Sequence, residues 1–409
     1  MSHYKPYSTY KDSGVEWLGQ VPEHWAIAQL KRLVSINNGS DHKAIESDNG
    51  FPVYGSGGRF AYATNYIYDG ESVLLGRKGT IDKPVYVNEK FWTVDTMYWT
   101  EIKSNAHGKF CYYVATTIPF DYYATNTALP SMTQTDLGSH IIAFPDRIEQ
   151  VAIATTLDRE TTRIDALIQK KSRFIELLKE KRQALITHAV TKGLDPDVTM
   201  KDSGIEWIGQ VPEHWEVVPS TWLFVESKER AHADDEHLSA TQKYGVILLA
   251  EYERLEERQV THAVKNLDQR KHVELDDFVI SMRSFQGGIE RVKARGCVRS
   301  SYVVLQAGSD ADVNYYAYLF KSASYIQGLQ ATASFIRDGQ DLNYGNFRQV
   351  KLPLPCSAEQ QHIAHFLDRE TARIDALMKT TERSITLLKE RRAAFITAAV
   401  TGQIDLRGE

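Results

Sequence analysis

The sequence predicts an α+β protein arranged as a pseudo-twofold tandem repeat: two mixed α/β domains separated by an antiparallel coiled coil of two long helices. Three observations support this expectation. Residues 149–191, EQVAIATTLDRETTRIDALIQKKSRFIELLKEKRQALITHAVT, return as residues 359–401, EQQHIAHFLDRETARIDALMKTTERSITLLKERRAAFITAAVT, at a constant offset of 210. KDSGVEWLGQVPEHW at 11–25 returns as KDSGIEWIGQVPEHW at 201–215, offset by 190. Between these repeats lie two stretches, 26–148 and 216–358, that share little sequence and differ in length, 123 residues against 143. Self-similarity at fixed offsets marks a duplication.

In chain order, residues 1–25 read as a polar, turn-rich arm whose Val15, Trp17, Leu18, Val21 and Trp25 supply anchors for docking. Residues 26–148 form a first domain of short β-like runs broken by Gly and Asn, among them residues 71–76 (ESVLLG), 83–88 (KPVYVN) and 91–100 (FWTVDTMYWT). A first long helix follows at 149–192, then a linker at 193–215 that contains the second copy of the arm motif. Residues 216–358 form the second domain, with strand-like runs at 277–282 (DFVISM) and 300–305 (SSYVVL), and 359–409 hold the second long helix and a tail.

The helical reading of the large repeat rests on periodicity. Ile164, Leu167, Ile175, Leu178 and Leu185, with Lys171 and Arg182 in the gaps, recur at steps of three and four; Ile374, Leu377, Ile385, Leu388 and Phe395, with Thr381 and Arg392, repeat the pattern. Neither copy contains Pro or an internal Gly, and both are rich in strong helix formers. Ser357 with Gln360 suggests a capping box, Asp146 with Glu149 a looser one, and Gly193 and Gly402 stand as C-caps. Forty-three helical residues span about 65 Å, more than one small domain can cover. The stripe therefore needs a partner, and the other copy, running antiparallel, is the nearest; two helices each packed on its own domain are the alternative.

Composition sets limits. With 42% apolar residues the chain can bury a sizeable core, and no apolar run approaches the 18 or so residues of a membrane span. The polar start lacks a signal-peptide core, and Cys111, Cys297 and Cys356 are too few and scattered for a disulfide framework, so a cytoplasmic protein is expected. Forty-eight basic against 53 acidic side chains give a net charge of −5, unlike a free-standing nucleic-acid binder. A partner is expected to share the charge.

Catalytic signatures are missing. No G-x-x-x-x-G-K-[ST] is present, and Gly55-Ser56-Gly57-Gly58 reads as a tight turn. Glu226-Ser227-Lys228 matches half of a nuclease site without a convincing upstream Asp, and His362 with His365 lacks a third metal ligand nearby. What remains suits polymer recognition. In the first domain Arg59, Arg77, Lys78 and Lys83 lie in Gly-bearing loops, notably LGRKGT at 75–80; in the second, Arg283, Ser284, Gln286, Arg291, Arg295 and Arg299 cluster around RSFQGG at 283–288. Glycine lets the backbone approach closely, Arg or Lys reaches phosphate or guanine, and a glutamine amide can pair with adenine. Residues 126–134 and 337–346 are polar loops that could add contacts. The bland alternative for each is a solvated basic loop.

Taken together, the duplicated LDRET, RIDAL, LLKE and KDSG-x-EW-x-GQVPEHW segments resemble the specificity subunit of type I restriction and modification enzymes, over essentially the whole length; the first half departs from the pattern in having FPDRIEQ where the second has LPLPCSAEQ. The resemblance implies two target-recognition domains that read the halves of a split, asymmetric duplex DNA sequence. It also implies two methylase subunits on the coil, endonuclease and translocase subunits for cleavage, and no catalysis by this chain. S-adenosylmethionine, ATP and Mg are then expected on the partner subunits, with no cofactor bound here. A non-catalytic scaffold that binds only protein partners is the alternative.

Overall fold

The computed structural model describes residues 4–123, 130–260, 269–281, 284–332 and 342–407, and the chain divides into two compact units, residues 1–172 with 382–409 and residues 173–381. Both boundaries fall inside the long helices, Arg147–Lys192 and Ser357–Val400, so each unit holds the start of one helix and the end of the other. No helix of the described residues is long and apolar enough to cross a membrane.

The first unit opens with the hairpin Tyr10–Asp12 and Gln20–Pro22. Its turn follows from KDSG: the Asp12 carboxylate accepts from the Gly14 amide at 2.9 Å, and Gly14 sits at φ +67°, a conformation that favours glycine. The identical sequence in the second unit builds the same turn, with Asp202 accepting from Gly204 at 2.9 Å and φ +66°, inside the hairpin Met200–Asp202 and Gln210–Pro212. Val21 and Trp25, like Val211 and Trp215, are fully buried, so each arm is an integral part of its own unit's core.

Beyond the hairpins the units diverge. The first contains a seven-stranded sheet assembled from residues 34–102, the second a four-stranded sheet (Phe224–Ser227, Val303–Ala307, Phe278–Ile280, Glu290–Arg291) with separate two-stranded ribbons. Each domain nevertheless closes in the same way, by an antiparallel pair formed by its first and last strands: Ala26–Gln29 with Ile141–Phe144, and Glu216–Pro219 with Lys351–Leu354. The last strand leads straight into the long helix.

The helices pair antiparallel in both units. In the first, Asp165 meets Arg392 at 2.9 Å, and Leu157 shares a core with Phe395 and Ile396. In the second, Arg182 meets Asp375 at 3.0 Å, and Ile186 and Ala189 share a core with Ile363 and Leu367. Burial along the first helix selects Leu157, Thr161, Ile164, Ile168, Lys171, Ile175, Leu178, Arg182 and Leu185, and the second helix repeats this 210 residues on, from Leu367 to Phe395. The steps alternate strictly between four and three, as a helix-on-helix seam requires. Leu167 and Leu377, which periodicity in the sequence assigns to that stripe, are 41% and 44% exposed, and Ile168 and Met378 take the seam because only they keep the seven-residue repeat.

Asp146 accepts from the Glu149 amide at 2.9 Å as expected. The box foreseen for Ser357 and Gln360 gives way to another use of the glutamine: Gln360 donates to the carbonyls of Pro355 and Asp310, both at 2.9 Å, and accepts from the Asp312 amide at 2.8 Å. Gln150 does the same in the first unit, donating to Pro145 and Asn105 and accepting from His107. Gly193 (φ +77°) and Gly402 (φ +75°) end the helices against Pro212 and Trp215, and Pro22 and Trp25, respectively.

Gln150→Ala and Gln360→Ala should each destabilise their unit by about 1–3 kcal/mol in urea unfolding, because each strands buried backbone groups. Ile168→Gln and Met378→Gln should cost more than Leu167→Gln and Leu377→Gln, which should stay within about 0.5 kcal/mol; equal costs would return the seam to the exposed leucines. Buried His140, stacked on Trp17 and bonded to Tyr123, has its pKa pushed down to about 4 by desolvation. It stays neutral when folded but charges near pH 6.5 when unfolded, so protonation favours the unfolded chain. Thermal melts should therefore show stability falling from about pH 6.5 towards pH 4, with a flatter limb in His140→Gln.

Candidate nucleic-acid interface

Each domain is held on its long helix by a duplicated socket. In LDRET of the first helix, Asp158 accepts from the Tyr113 hydroxyl at 2.7 Å and Thr161 lies 3.0 Å from it; in the second, Asp368 accepts from Tyr318 at 2.7 Å with Thr371 at 3.2 Å. Glu149 receives the Trp25 indole at 3.0 Å, His24 at 2.8 Å and the Tyr7 hydroxyl at 2.8 Å, and Glu359 receives His214 at 2.9 Å. The repeated acidic and amide residues are thus fixtures that mount the domains. The surfaces left for recognition come from the parts that differ.

In the first domain the strand Tyr68–Gly76 delivers residues 76–80 at its end. Gly76 has no room for a side chain, since a Cβ there would lie 2.4 Å from the Thr80 carbonyl oxygen and 2.6 Å from the Ile81 backbone. The Arg77 amide donates to Thr96 at 2.9 Å, the Gly79 amide to Pro130 at 3.0 Å, and the Arg77 carbonyl accepts from Met132 at 3.0 Å, so the loop is pinned on both sides. Arg77 is half-buried; its guanidinium donates to the Asp95 carbonyl at 3.3 Å and lies 5.9 Å from the Tyr98 ring centroid. Lys78 and Lys83 are exposed.

Arg59 is exposed on the strand Gly58–Ala63, three positions across the sheet from the strand that ends at Gly76, about 14 Å at the usual strand spacing. Two cation–aromatic contacts lie in this domain, Arg59 over Tyr62 at 5.7 Å and Lys90 over Tyr66 at 4.6 Å, and Phe60 is 58% exposed. Cations beside aromatic faces suit a nucleic-acid backbone and bases. Phe60, Tyr66 and Lys90 are not among the sequence candidates; Lys90 lies 24 positions from Tyr66, and the pairing of the strands Tyr68–Gly76 and Val85–Thr93 brings those two together.

In the second domain Arg283 lies outside the described residues. Ser284 is 1% exposed, and its hydroxyl accepts from the Ser281 amide at 2.9 Å, so it braces the turn Ser284–Gly287 from within. Gln286 projects outward from that turn, and Gly288 (φ +75°) lies against the Phe320 carbonyl, where a Cβ would come within 2.0 Å. Arg291 is clamped to Asp276 at 2.6 and 2.8 Å and to Asn314 at 2.8 Å. Arg295 reaches Asp234 at 3.1 Å and Glu274 at 3.4 Å, and Arg299 is exposed. The basic run is therefore not one outward patch: a guanidinium already neutralised offers little to phosphate, Arg295 is exposed but paired, and Gln286 and Arg299 are exposed. The acids involved lie 15 or more positions from their arginines, beyond any local pattern.

The duplicated sockets and the unlike domains agree with comparison to known proteins. Residues 22–177 and 225–387 match the family model described as the type I restriction modification DNA specificity domain. The chain is 20% identical over 429 aligned positions, covering 96% of it and 89% of the relative, to the type I restriction enzyme EcoBI specificity subunit of Escherichia coli. It is 25% identical over 285 positions to the putative type I restriction enzyme MjaX specificity subunit of Methanocaldococcus jannaschii, a match covering 68% of this chain and 62% of the relative. Among solved structures, a chain from a study of complex assembly and conformational transition of the type I R-M system superposes with a TM-score of 0.70 at 12% identity, covering 94% of this chain and 99% of that one. The HsdS subunit from Thermoanaerobacter tengcongensis superposes at 0.54, also at 12% identity, over 94% and 98%. With two matched segments that together span most of its length, the chain belongs to the type I restriction modification DNA specificity family and contains the family's domain twice.

Proposed function

We propose that this chain is the DNA-reading subunit of a type I restriction and modification complex, without catalytic activity of its own. Its two domains read different halves of a split duplex target, and the pair of long helices shared by both sets the gap between the halves. The observation that supports this best is the contrast between matching mounts and unlike contents. The same Glu, Gln, Asp and Thr residues seat both domains, yet one presents a seven-stranded sheet and the other a four-stranded one. A duplicated mount is useful when the mounted part is free to vary, and two unlike readers imply an asymmetric target.

In this reading the reactions belong to partners. Two methylase subunits with S-adenosylmethionine dock on the repeated helix and hairpin elements, and endonuclease and translocase subunits with ATP and Mg join for cleavage. Leu177 and Leu387, equivalent positions that are 46% and 55% exposed, suit two copies of one partner. A net charge of −5 fits a reader whose partners close around the duplex with most of the positive charge. The site of action is the cytoplasm.

Exchanging residues 216–358 for the corresponding domain of another family member should alter one half of the methylated sequence and leave the other half and the gap unchanged, as read by methylome sequencing of cells that contain the partner subunits. An unchanged motif, or loss of both halves with the complex intact, would defeat the proposal. In the assembled complex, Lys78→Ala with Lys83→Ala should lower the slope of log K against log salt by about 1 for each phosphate that is no longer neutralised, and weaken specific and random duplexes alike. Gln286→Ala should instead weaken the specific duplex selectively, by about 1–3 kcal/mol.

A further inference from the structure

A cluster in the second domain has no part in mounting it. The connection between the strands Phe224–Ser227 and Leu238–Thr241 runs beside the strand Lys271–Val273, tied to it by the His272 amide donating to Glu229 at 3.0 Å and the Ala231 amide donating to Arg270 at 3.0 Å. This brings His232 and His272 into a stack at 4.2 Å with 17° between ring planes. Ligand atoms of Glu229, His232 and His272 all lie within 4.8 Å of one another.

We propose that these three residues hold one divalent transition metal ion of the zinc class, and that the ion staples the 228–237 loop to the sheet. The donor set supports the choice: two imidazoles with a carboxylate suit Zn²⁺, whereas Mg²⁺ and Ca²⁺ take oxygen ligands. The positioning group is also present. Asp235 has a side chain only 1% exposed, and its Oδ2 faces His272 Nδ1 at 2.8 Å, which fixes the ring with Nε2 on the outer side. His272 Nε2 in turn faces Glu274 at 3.0 Å. A ring with a carboxylate at each nitrogen is satisfied by two protons or by a metal ion in place of the outer proton.

Two further observations favour a cation. Asp235 Oδ1 is buried without a hydrogen-bond partner, with the Arg295 guanidinium no nearer than 3.8 Å. Four carboxylates (Glu229, Asp234, Asp235 and Glu274) gather here, and Arg295, which reaches three of them, supplies a single charge. Tetrahedral zinc holds nitrogen ligands at about 2.0–2.1 Å, so the donors must close up by roughly 1.5 Å. Glu229 and His232, with side chains 51% and 43% exposed, are free to rotate inward.

The test uses the full-length chain, loaded with Zn²⁺ alone, dialysed and assayed for metal content, with Co²⁺ absorption as a second readout. The proposal expects one zinc per chain, a rise in Tm on loading, and a tetrahedral Co²⁺ spectrum. His232→Ala, an exposed position that should not disturb folding, should abolish all three, and Asp235→Asn should weaken binding by about 10–100-fold. The double variant His362→Ala with His365→Ala, which removes an exposed histidine pair one helical turn apart on the second long helix, should retain the metal. Zinc content unchanged in His232→Ala, or lost only in the His362 and His365 variant, would overturn it.

Discussion

A helix of 46 residues with a mainly apolar stripe has more surface to cover than its own domain supplies, and this constraint organises the protein. The stripe is satisfied by a second helix of the same design running the opposite way, and the ion pairs Asp165 with Arg392 and Arg182 with Asp375 mark the two places where the repeat meets itself. These pairs are partly exposed and contribute little energy individually. Their value is in register, because the Asp of RIDAL on one helix finds an Arg only if the partner is antiparallel and correctly phased.

Reciprocal pairing explains why each compact unit draws on distant parts of the chain. Phe395, Ile396, Ala399 and Val400 complete the core that Trp25 and Phe110 begin, and Ile186, Ala189 and Val190 do the same for Trp215 and Phe224. The tail continues the closure: Leu406 is 1% exposed, and the Asp405 amide donates to the Lys5 carbonyl at 2.8 Å. Removal of either helix would therefore open both cores. A protein made this way can exchange the content of a domain between its first and last strands while its mounts and its helix pair stay unchanged.

The buried glutamines show how the mounting is achieved. A long helix needs its first amides satisfied, and a domain that ends in a strand leaves carbonyls at the junction. Gln150 and Gln360 serve the second need, each using both ends of one amide to bind three backbone groups from two segments. Tyr113 with Asp158 and Tyr318 with Asp368 add a second fixing point eight residues along. Two attachment points on one rigid helix fix a domain's orientation, as a single one would not.

Much of this was legible in the sequence, for a physical reason: helix periodicity, cap glycines and turn chemistry are local, and duplication printed each of them twice. KDSG folded into its Asx turn in both copies, and Gly193 and Gly402 ended their helices as read. Phase was harder. Leucine at 167 and 377 looked like seam by hydrophobicity, but a seven-residue repeat admits only 168 and 378, and one residue of error turns a side chain by about 100°. Side-chain partnership was not legible at all. Arg291 and Arg295 are candidate DNA contacts in the sequence because Asp276, Asp234 and Glu274 are distant from them, and the Tyr66 and Lys90 contact and the His232 and His272 stack depend on strand pairing. The sequence by itself determined the repeat, the two long helices and the family. Which charges face solvent was decided only in the tertiary structure, because neutralisation depends on distances between residues that the chain order keeps apart.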